Sequence, residues 1–323
     1  MLDKMGRQIE YLRVSITDRC NLRCVYCMPE NGIEQVAHDD ILSFDELYRV
    51  IKETTNLGIK KVRITGGEPL VRKGIIPFIK RIKDIEGIEE VCLTTNGILL
   101  LDYMDQLYEA GLDRINISLD TFNCDKYKSI TRRDGLHKVL EAIDLGVKKG
   151  FKRIKVNTVI IKELNYEEIE EFVNLVEKYD IDVRFIELMP IGEGKDYTPT
   201  SNDEIKEIIK RNRNLYPVYS KKGAGPAKYY KTNGAKGRIG FISAMSHEFC
   251  QECNRIRITS EGFLKLCLHS KRGIDLRQLL RSKIDDHELG YIIREAVENK
   301  PDRHHFNENS EDQDNRLMSQ IGG

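Results

Sequence analysis

The sequence predicts an α/β fold, in which a partial TIM-like (β/α) barrel of about six units precedes a smaller C-terminal module. Short runs of β-branched residues alternate with longer segments whose apolar residues recur every three or four positions. Polar and glycine-rich motifs follow several of these runs, where the catalytic loops of such barrels lie. Beyond residue 195 this alternation ends, and short strands separated by glycines replace it. We therefore divide the chain into a barrel, residues 1–195, and a module with a tail, residues 196–323.

Six predicted strands build the barrel. They are, in order, "YLRVSIT", "KKVRITG", "EVCLTTN", "RINISLD", "RIKVNTVI" and "DVRFIEL". The predicted helices between them are "SFDELYRVIKETTNLG", "IIPFIKRIKDIEG", "YMDQLYEAG", "GLHKVLEAIDLGVKKG" and "YEEIEEFVNLVEKYD". Most of these segments end at a glycine or before a polar turn, as helices do. Because a helix that joins two strands makes a right-handed crossover, the strands are expected to be parallel.

The C-terminal module is predicted to be antiparallel. A short helix, "SNDEIKEIIKRN", precedes the runs "GPAKYYK", "GRIGFIS" and "NRIRITSEGFLKLCL". The charged tail that ends the chain has the composition of a solvated extension.

Charge and composition exclude several classes of protein. Lys and Arg together number 52, as do Asp and Glu, so the net charge is zero. A neutral chain does not favour a general nucleic-acid binder or a protein bound to a membrane surface. The N-terminus has no unbroken apolar stretch, and no apolar run approaches membrane-spanning length. We expect a cytoplasmic protein whose eight cysteines are reduced; six are interpreted as metal ligands, and Cys92 and Cys124 receive no function.

The stretch "CNLRCVYC" places Cys20, Cys24 and Cys27 within eight residues. A redox dithiol needs two sulfurs, and a closed zinc site usually needs four Cys or His ligands. An iron–sulfur cubane held by three thiolates fits this odd number better, because its fourth iron stays open to bind a cofactor or substrate. A zinc site completed by a distant residue remains an alternative.

A second group, Cys250, Cys253 and Cys267, again offers three thiolates. Because His247 and His269 lie close in the sequence, a structural zinc site with four ligands is chemically available here. The spacing alone leaves both a zinc site and a second cluster open.

The loop "CNLRCVYC", with Tyr26 before its third cysteine, resembles the cluster-binding loop of the radical S-adenosylmethionine superfamily. The resemblance implies a [4Fe–4S] cluster whose open iron chelates the amino and carboxyl groups of S-adenosylmethionine. One electron from the cluster then cleaves that cofactor to methionine and a 5′-deoxyadenosyl radical. The motif "GGEP" resembles the superfamily's site for the methionyl ammonium group, and its glycines, Gly66 and Gly67, lack the side chain that would block a ligand from the backbone. By the same resemblance, the residues that bind S-adenosylmethionine are Tyr26, Gly66, Gly67, Glu68, Pro69, Ser118 and Met189.

A wider resemblance covers nearly the whole chain. The motifs "LRVSITDRC", "RITGGEPL", "LTTNG", "INISLD", "KVNTVI", "RFIELM" and the terminal "IGG" are similar to those of the GTP 3′,8-cyclase family, which begins molybdenum cofactor biosynthesis. This implies a second [4Fe–4S] cluster on the C-terminal cysteines, which faces the guanine base. It also implies a reaction that joins ribose C3′ to C8 of GTP, and a chain end, Gly322 and Gly323, that enters the active-site cavity.

Cationic side chains at the strand ends suit a triphosphate, because arginine forks and lysine charges bind phosphate oxygens. Arg255 and Arg257 are two residues apart, so on a strand both face the same side. We expect GTP to contact Arg13, Arg63, Thr94, Lys155, Arg255 and Arg257. The residues predicted to be catalytic are Arg13, Arg255, Arg257, Gly322 and Gly323.

The resemblance also implies partners. These are GTP as substrate, a one-electron donor of the flavodoxin or ferredoxin type, and a downstream cyclic pyranopterin monophosphate synthase; a homodimer is an open alternative. We expect no nucleic-acid or membrane partner. Two other functions also stay open: a radical S-adenosylmethionine enzyme that modifies a peptide, and a non-catalytic zinc-binding module.

Overall fold

One extended sheet organises the molecule. A computed structural model describes residues 1–34, 36–219, 225–304, 306, 314 and 316–322. The strands are β1 (Tyr11–Ser15), β2 (Lys61–Thr65), β3 (Glu90–Thr95), β4 (Arg114–Ser118), β5 (Arg153–Val159), β6 (Asp182–Ile186), β7 (Tyr216–Val218), β8 (Lys228–Lys231), β9 (Arg238–Ile242), β10 (Arg255–Ile258), β11 (Phe263–Lys265) and β12 (Gly273–Asp275). They form one sheet in the order β12-β11-β10-β1-β2-β3-β4-β5-β6-β9-β8-β7.

The helices connect these strands. They are α1 (Phe44–Asn56), α2 (Ile75–Lys83), α3 (Leu100–Glu109), α4 (Cys124–Thr131), α5 (Leu136–Lys149), α6 (Ile169–Lys178), α7 (Asn202–Asn212), α8 (Leu276–Arg281) and α9 (Asp286–Glu298). Among the described residues, none of these helices has both the length and the apolar character needed to cross a membrane.

The predicted α/β partial barrel is confirmed. All six predicted strands are present, and β1 to β6 are parallel neighbours in chain order. The sheet ends at β12 on one side and at β7 on the other, so the barrel is not closed. The core lies between the sheet and the outer helices, where Phe172 of α6 packs edge to face on Phe185 of β6 with ring centroids 6.2 Å apart.

The C-terminal module differs from the antiparallel region that the sequence predicted. Its strands β9 and β10 pair in parallel with β6 and β1, so the module extends both edges of the barrel sheet. The outer strands β7, β8, β11 and β12 are antiparallel to their neighbours, as expected. Local periodicity shows that a segment is a strand, but the direction of its partner depends on pairing over a long range.

Helix α4 was not predicted. It begins after Asn123, whose side-chain oxygen accepts hydrogen bonds from two backbone N–H groups of the first turn. Its buried residues are Tyr127, Ile130 and Thr131, which is too short a pattern to be recognised by periodicity.

Candidate active site

The C-terminal ends of the barrel strands surround a cavity of about 340 Å³. Its lining includes most of the predicted site residues, namely Arg13, Cys20, Cys24, Tyr26, Cys27, Arg63, Gly66, Gly67, Thr94, Ser118, Met189, Cys250, Cys253, Arg255, Arg257 and Cys267. Of the other candidates, Glu68, Pro69, Lys155 and Gly322 are not part of this lining, and Gly323 lies outside the described residues. The fold therefore brings both cysteine groups to one cavity, at the end where barrels of this kind place their catalytic residues.

The first cysteine loop turns tightly toward the cavity after β1. The backbone N–H groups of Cys27 and Met28 both donate to the carbonyl of Cys24, at 2.9 and 3.2 Å. The N–H of Leu22 donates to Cys20 Sγ at 3.4 Å. Burial and the neighbouring Cys27 raise the pKa of the Cys24 thiol. Three thiols confined in this way suit a cationic metal centre, which displaces their protons when it binds.

One group of possible metal ligands at the cavity is compact. In the part of the chain that the structure describes, the one set of at least three Cys, His, Asp or Glu ligand atoms within 4.8 Å of one another is Glu248, Cys250 and His304. Of the six cysteines in the two trios, Cys250 belongs to this compact set.

Helix α4 supports the cysteine loop from outside. The N–H groups of Arg23 and Val25 donate to the carbonyls of Thr131 and Ile130, both at 2.9 Å. Arg132, which ends α4 with a φ of 56°, donates from its guanidinium to the carbonyl of Arg23 at 3.2 Å. Sequence reasoning missed this support because α4 itself was missed.

Gly66 and Gly67 let two loops pack backbone to backbone. A Cβ on Gly66 would lie 2.6 Å from the carbonyl oxygen of Thr17, and one on Gly67 would lie 2.5 Å from that of Arg19. Both positions are therefore restricted to glycine by the chain that leads into the cysteine loop. Because the two glycines also line the cavity, the motif packs the cysteine loop close to the cavity.

Glu68 is fully buried behind the cavity. Its carboxylate accepts hydrogen bonds from Thr95 Oγ1 at 2.8 Å and from the N–H of Asn96 at 2.7 Å. Burial raises its pKa to about 7, although these bonds oppose the change. Asn96 in turn donates to Asn21 in the cysteine loop at 2.8 Å, and Pro69 begins a short helical turn. Glu68 thus ties the ends of β2 and β3 to that loop.

Tyr26 is fixed by Asp120, a residue absent from the predicted site. The tyrosine hydroxyl donates to Asp120 Oδ2 at 2.5 Å, and the other carboxylate oxygen accepts the N–H of Val159 at 2.9 Å. Burial raises the pKa of Asp120 to about 6. Asp120 lines the cavity together with Ser118 and Met189. Its position two residues after Ser118, just past a strand end, was the signal in the sequence.

Three arginines form a row across the sheet. Arg13 of β1 is opposite Arg257 of β10 on one side and Arg63 of β2 on the other. Burial and mutual repulsion lower the pKa of Arg13, and burial lowers that of Arg257 to about 10. The Nε of Arg63 is buried and has no hydrogen-bond partner among the described residues. Three guanidinium groups side by side concentrate positive charge on this wall of the cavity, which favours an anion.

Lys155 lies deeper in the barrel than the sequence suggested. Its Nζ contacts Tyr229 Oη at 2.8 Å and Asp182 Oδ2 at 3.2 Å. Burial and the charge of Arg184 lower the pKa of Lys155 to about 7, whereas Asp182 opposes this shift. Arg184, which sequence reasoning missed, donates to Asn116 Oδ1 at 2.9 Å. Basic side chains, those of Lys155 and Arg184, therefore also lie behind the cavity, in the barrel interior.

The second cysteine group lines the same cavity as the barrel loops. The N–H of Cys253 donates to the carbonyl of Cys250 at 3.2 Å, which places both residues on one turn. Although burial alone raises the pKa of Cys253, the charges of Arg255 and Lys300 lower it to about 6. The two cations therefore favour the thiolate form of Cys253, which is the form that binds metal. Lys300 also lines the cavity, and sequence reasoning missed it.

The end of the C-terminal tail reaches the arginine row. The carbonyl of Gly322 accepts a hydrogen bond from Arg13 Nη2 at 3.1 Å. Gly322 has a φ of +81°, and a Cβ there would lie 3.0 Å from Thr65 Oγ1 and 3.1 Å from Ser15 Cβ. Ile321 is 1% exposed. The described end of the tail is thus packed against the barrel, and the solvated extension that its composition predicted is wrong for these residues.

Two family models match most of the chain. Residues 14–176 match the model of the Radical SAM superfamily, and residues 181–306 match that of Molybdenum Cofactor Synthesis C. The chain is 52% identical to a GTP 3′,8-cyclase of Clostridium perfringens (strain SM101 / Type A), over 100% of both chains. It is 48% identical to one of Clostridium botulinum (strain Langeland / NCTC 10281 / Type F) and 47% identical to one of Alkaliphilus oremlandii (strain OhILAs), again over 100% of both chains.

Solved structures show the same fold at lower identity. SuiB of Streptococcus suis bound to the precursor peptide SuiA superposes with a TM-score of 0.63 and 17% identity, over 98% of this chain and 77% of that one. SuiB bound to S-adenosylmethionine gives a TM-score of 0.62 and 18% identity, over 88% and 68%. These likenesses concern the fold, and they agree with the partial barrel described above.

Proposed function

The chain belongs to the GTP 3′,8-cyclase family within the radical S-adenosylmethionine superfamily, and from this membership we propose how its residues carry out the reaction. It is an enzyme of molybdenum cofactor biosynthesis that cyclises GTP to (8S)-3′,8-cyclo-7,8-dihydroguanosine 5′-triphosphate. One observation supports our division of the site: two cysteine trios and a row of three arginines line a single cavity. We assign the first trio to a barrel of residues 1–195 and the second to an auxiliary module of residues 196–323.

In this proposal Cys20, Cys24 and Cys27 hold a [4Fe–4S] cluster whose fourth iron binds S-adenosylmethionine. When bound, these groups together supply the radical that starts the cyclisation. The protein's own contribution is orientation. Gly66 and Gly67 keep the cysteine loop against the cavity, and the buried Glu68 fixes the loops around it. The proposed S-adenosylmethionine site consists of Tyr26, Gly66, Gly67, Glu68, Pro69, Ser118 and Met189.

The triphosphate is assigned to the arginine row. Arg13, Arg63 and Arg257 are adjacent in register, so phosphate oxygens placed between them relieve their repulsion. Thr94 adds a hydroxyl group next to Arg63. Lys155 belongs to the proposed set from behind the row, where Tyr229 and Asp182 engage its Nζ. Arg255 completes the proposed set.

We assign a second [4Fe–4S] cluster to Cys250, Cys253 and Cys267, on the side of the cavity that receives the guanine base. The lowered pKa of Cys253 supports this assignment, because a ligand that is already a thiolate releases little or no proton when metal binds. In this proposal the cavity wall excludes water from the reacting atoms and holds ribose and base in one orientation. Orientation and exclusion of water are the contributions that a protein makes when its cofactor forms the radical.

The remaining partners are also proposals. A flavodoxin- or ferredoxin-type protein donates the electron, and a cyclic pyranopterin monophosphate synthase consumes the product. Free thiols in both trios suit the reducing cytoplasm, where we place the enzyme. A homodimer remains to be tested by its mass in solution.

Anaerobic reconstitution with iron and sulfide tests the proposal. We expect the reconstituted protein to hold ~8 iron per chain, four for each cubane. Addition of dithionite, S-adenosylmethionine and GTP should yield 5′-deoxyadenosine and cyclised nucleotide together. A colourless protein that holds stoichiometric zinc without acid-labile sulfide would contradict it.

The variant Arg257→Ala is expected to weaken GTP binding by about 10- to 100-fold and guanosine binding much less. A charge-assisted hydrogen bond to phosphate contributes ~1.5–3 kcal/mol, and guanosine has no phosphate with which to make it. Equilibrium dialysis with both ligands measures the difference. Equal losses for the two would place Arg257 away from the triphosphate.

Deleting Gly322 and Gly323 is expected to reduce cyclised product by at least ~10-fold, or ~1.4 kcal/mol of positioning energy, while both clusters and the thermal midpoint stay unchanged. The deletion removes the carbonyl that Gly322 offers to Arg13. Gly322→Ala should act in the same direction, because its Cβ meets Thr65 and Ser15. Gly234→Ala is the matched control, since Gly234 also has a positive φ but has nothing within 4 Å of an added Cβ. Full activity in the truncated protein would show that the tail has no role.

A further inference from the structure

Arg7 connects the N-terminal segment to the second cysteine group. Its side chain is buried, and each of its five N–H hydrogens has an acceptor within reach. Nε donates to Asp3 Oδ2 at 2.6 Å, Nη1 donates to the carbonyls of Cys250 at 2.8 Å and Asp302 at 2.9 Å, and Nη2 donates to the carbonyls of Pro301 at 2.6 Å and Lys300 at 3.4 Å. The guanidinium thus joins three separate parts of the chain at one point.

The carbonyl of Cys250 is where Arg7 acts on the cysteine turn. It accepts one hydrogen bond from Arg7 and a second from the N–H of Cys253 at 3.2 Å. Both lone pairs of this oxygen are then in use, so the peptide bond that follows Cys250, at the start of the turn to Cys253, is held in a single orientation. Moving Arg7 away would release that peptide.

Lys300 extends the same support to the third cysteine. Arg7 holds the backbone of Lys300, and the Lys300 side chain, 5% exposed, donates from Nζ to the carbonyl of Leu266. Leu266 directly precedes Cys267. Through one direct contact and one relay, Arg7 therefore reaches all three cysteines of the group.

Arg7 acts mainly by fixing the position of the backbone around it. Its charge is neutralised by the carboxylate of Asp3, whose side chain is 0% exposed. Four of its five hydrogen bonds go to backbone carbonyls, whose positions depend on the path of the chain.

We propose that Arg7 is the positioning residue of the second cluster: with Lys300, it holds Cys250, Cys253 and Cys267 at the spacing that a [4Fe–4S] cluster requires. The inference rests on the proposed function, since it takes this trio to be a cluster site. The N-terminal segment, which the sequence left without a role, then becomes part of the active-site scaffold.

Three variants of the full chain, reconstituted anaerobically, test this. Arg7→Gln removes the fork, and Arg7→Lys keeps the charge with fewer donors. Lys4→Gln is the matched control, because Lys4 joins the same N-terminal segment to Asn299 at 2.5 Å. We expect ~4 iron per chain in both Arg7 variants and ~8 in the wild type and in Lys4→Gln. The electron paramagnetic resonance signal of the first cluster should still change on addition of S-adenosylmethionine in every variant.

The first cluster serves as an internal control for folding. Loss of both clusters together in Arg7→Lys would show a general structural role and overturn the inference. Retention of ~8 iron in Arg7→Gln, with an unchanged signal from the second cluster, would overturn it as well. If the wild-type protein itself held ~4 iron per chain, no second cluster would be present, and this would contradict the proposed function on which the inference rests.

Discussion

Replacing Cys24 by alanine is expected to halve the iron of the reconstituted protein, from ~8 to ~4 per chain, and to abolish cleavage of S-adenosylmethionine. Cys24 is the middle ligand of the first trio, and its carbonyl accepts the N–H groups of Cys27 and Met28. Alanine preserves these backbone bonds, so the loop keeps its turn and loses a single thiolate. Iron and sulfide analysis, together with the yield of 5′-deoxyadenosine, measures the effect.

The control for this variant is Cys124→Ala. Cys124 is an exposed free cysteine at the start of α4. Our proposal gives its side chain no role. We expect the control to hold ~8 iron and to retain activity. If Cys24→Ala also kept ~8 iron and still cleaved S-adenosylmethionine, the first trio would not be the ligand set of the cluster.

The strands and the cysteine motifs could be predicted because their signals are local. An apolar period and three thiols within eight residues need no knowledge of distant partners. Strand direction does need it, which is why the parallel pairing of β9 with β6 and of β10 with β1 was missed. The cavity itself depends on this pairing, because the pairing brings the second cysteine group next to the first.

Residues that act through distant contacts were missed for the same reason. The four carbonyl acceptors of Arg7 lie 243 to 295 positions away in the sequence, so the nearby Asp3 alone does not indicate its role. Arg184 sits on a predicted strand, but its partner Asn116 belongs to another. The sequence showed that Lys155 is basic, but it did not show its partners. These are Tyr229 and Asp182, which hold the Lys155 Nζ inside the barrel.

The glycine motif shows that a correct position can have an incomplete explanation. The sequence suggested that Gly66 and Gly67 leave room for a ligand to approach the backbone. In the structure the carbonyls of Thr17 and Arg19 take that room, since a Cβ on either glycine would lie within 2.6 Å of them. The steric reason is the same, but the neighbour is the protein's own chain.

Replacing Cys253 by alanine is expected to produce the reciprocal defect: the first cluster and its S-adenosylmethionine cleavage remain, while cyclised product falls at least ~100-fold, or ~2.7 kcal/mol. The pKa of the Cys253 thiol is lowered to about 6, because Arg255 and Lys300 outweigh the effect of burial. Alanine therefore removes both a ligand and the negative charge between two cations. Without this ligand the second cluster is not retained, and the base loses its orienting surface.

The two cysteine variants are decisive when they are measured side by side. Both should hold ~4 iron per chain, so iron content alone does not separate them. Release of 5′-deoxyadenosine does: we expect it to persist, uncoupled from cyclisation, in Cys253→Ala and to be absent in Cys24→Ala. Conversion of GTP at the wild-type rate by Cys253→Ala would make the second trio a structural element. Loss of 5′-deoxyadenosine in both variants would mean that the two groups do not act as separate sites, because removing a ligand from one would then disable the other.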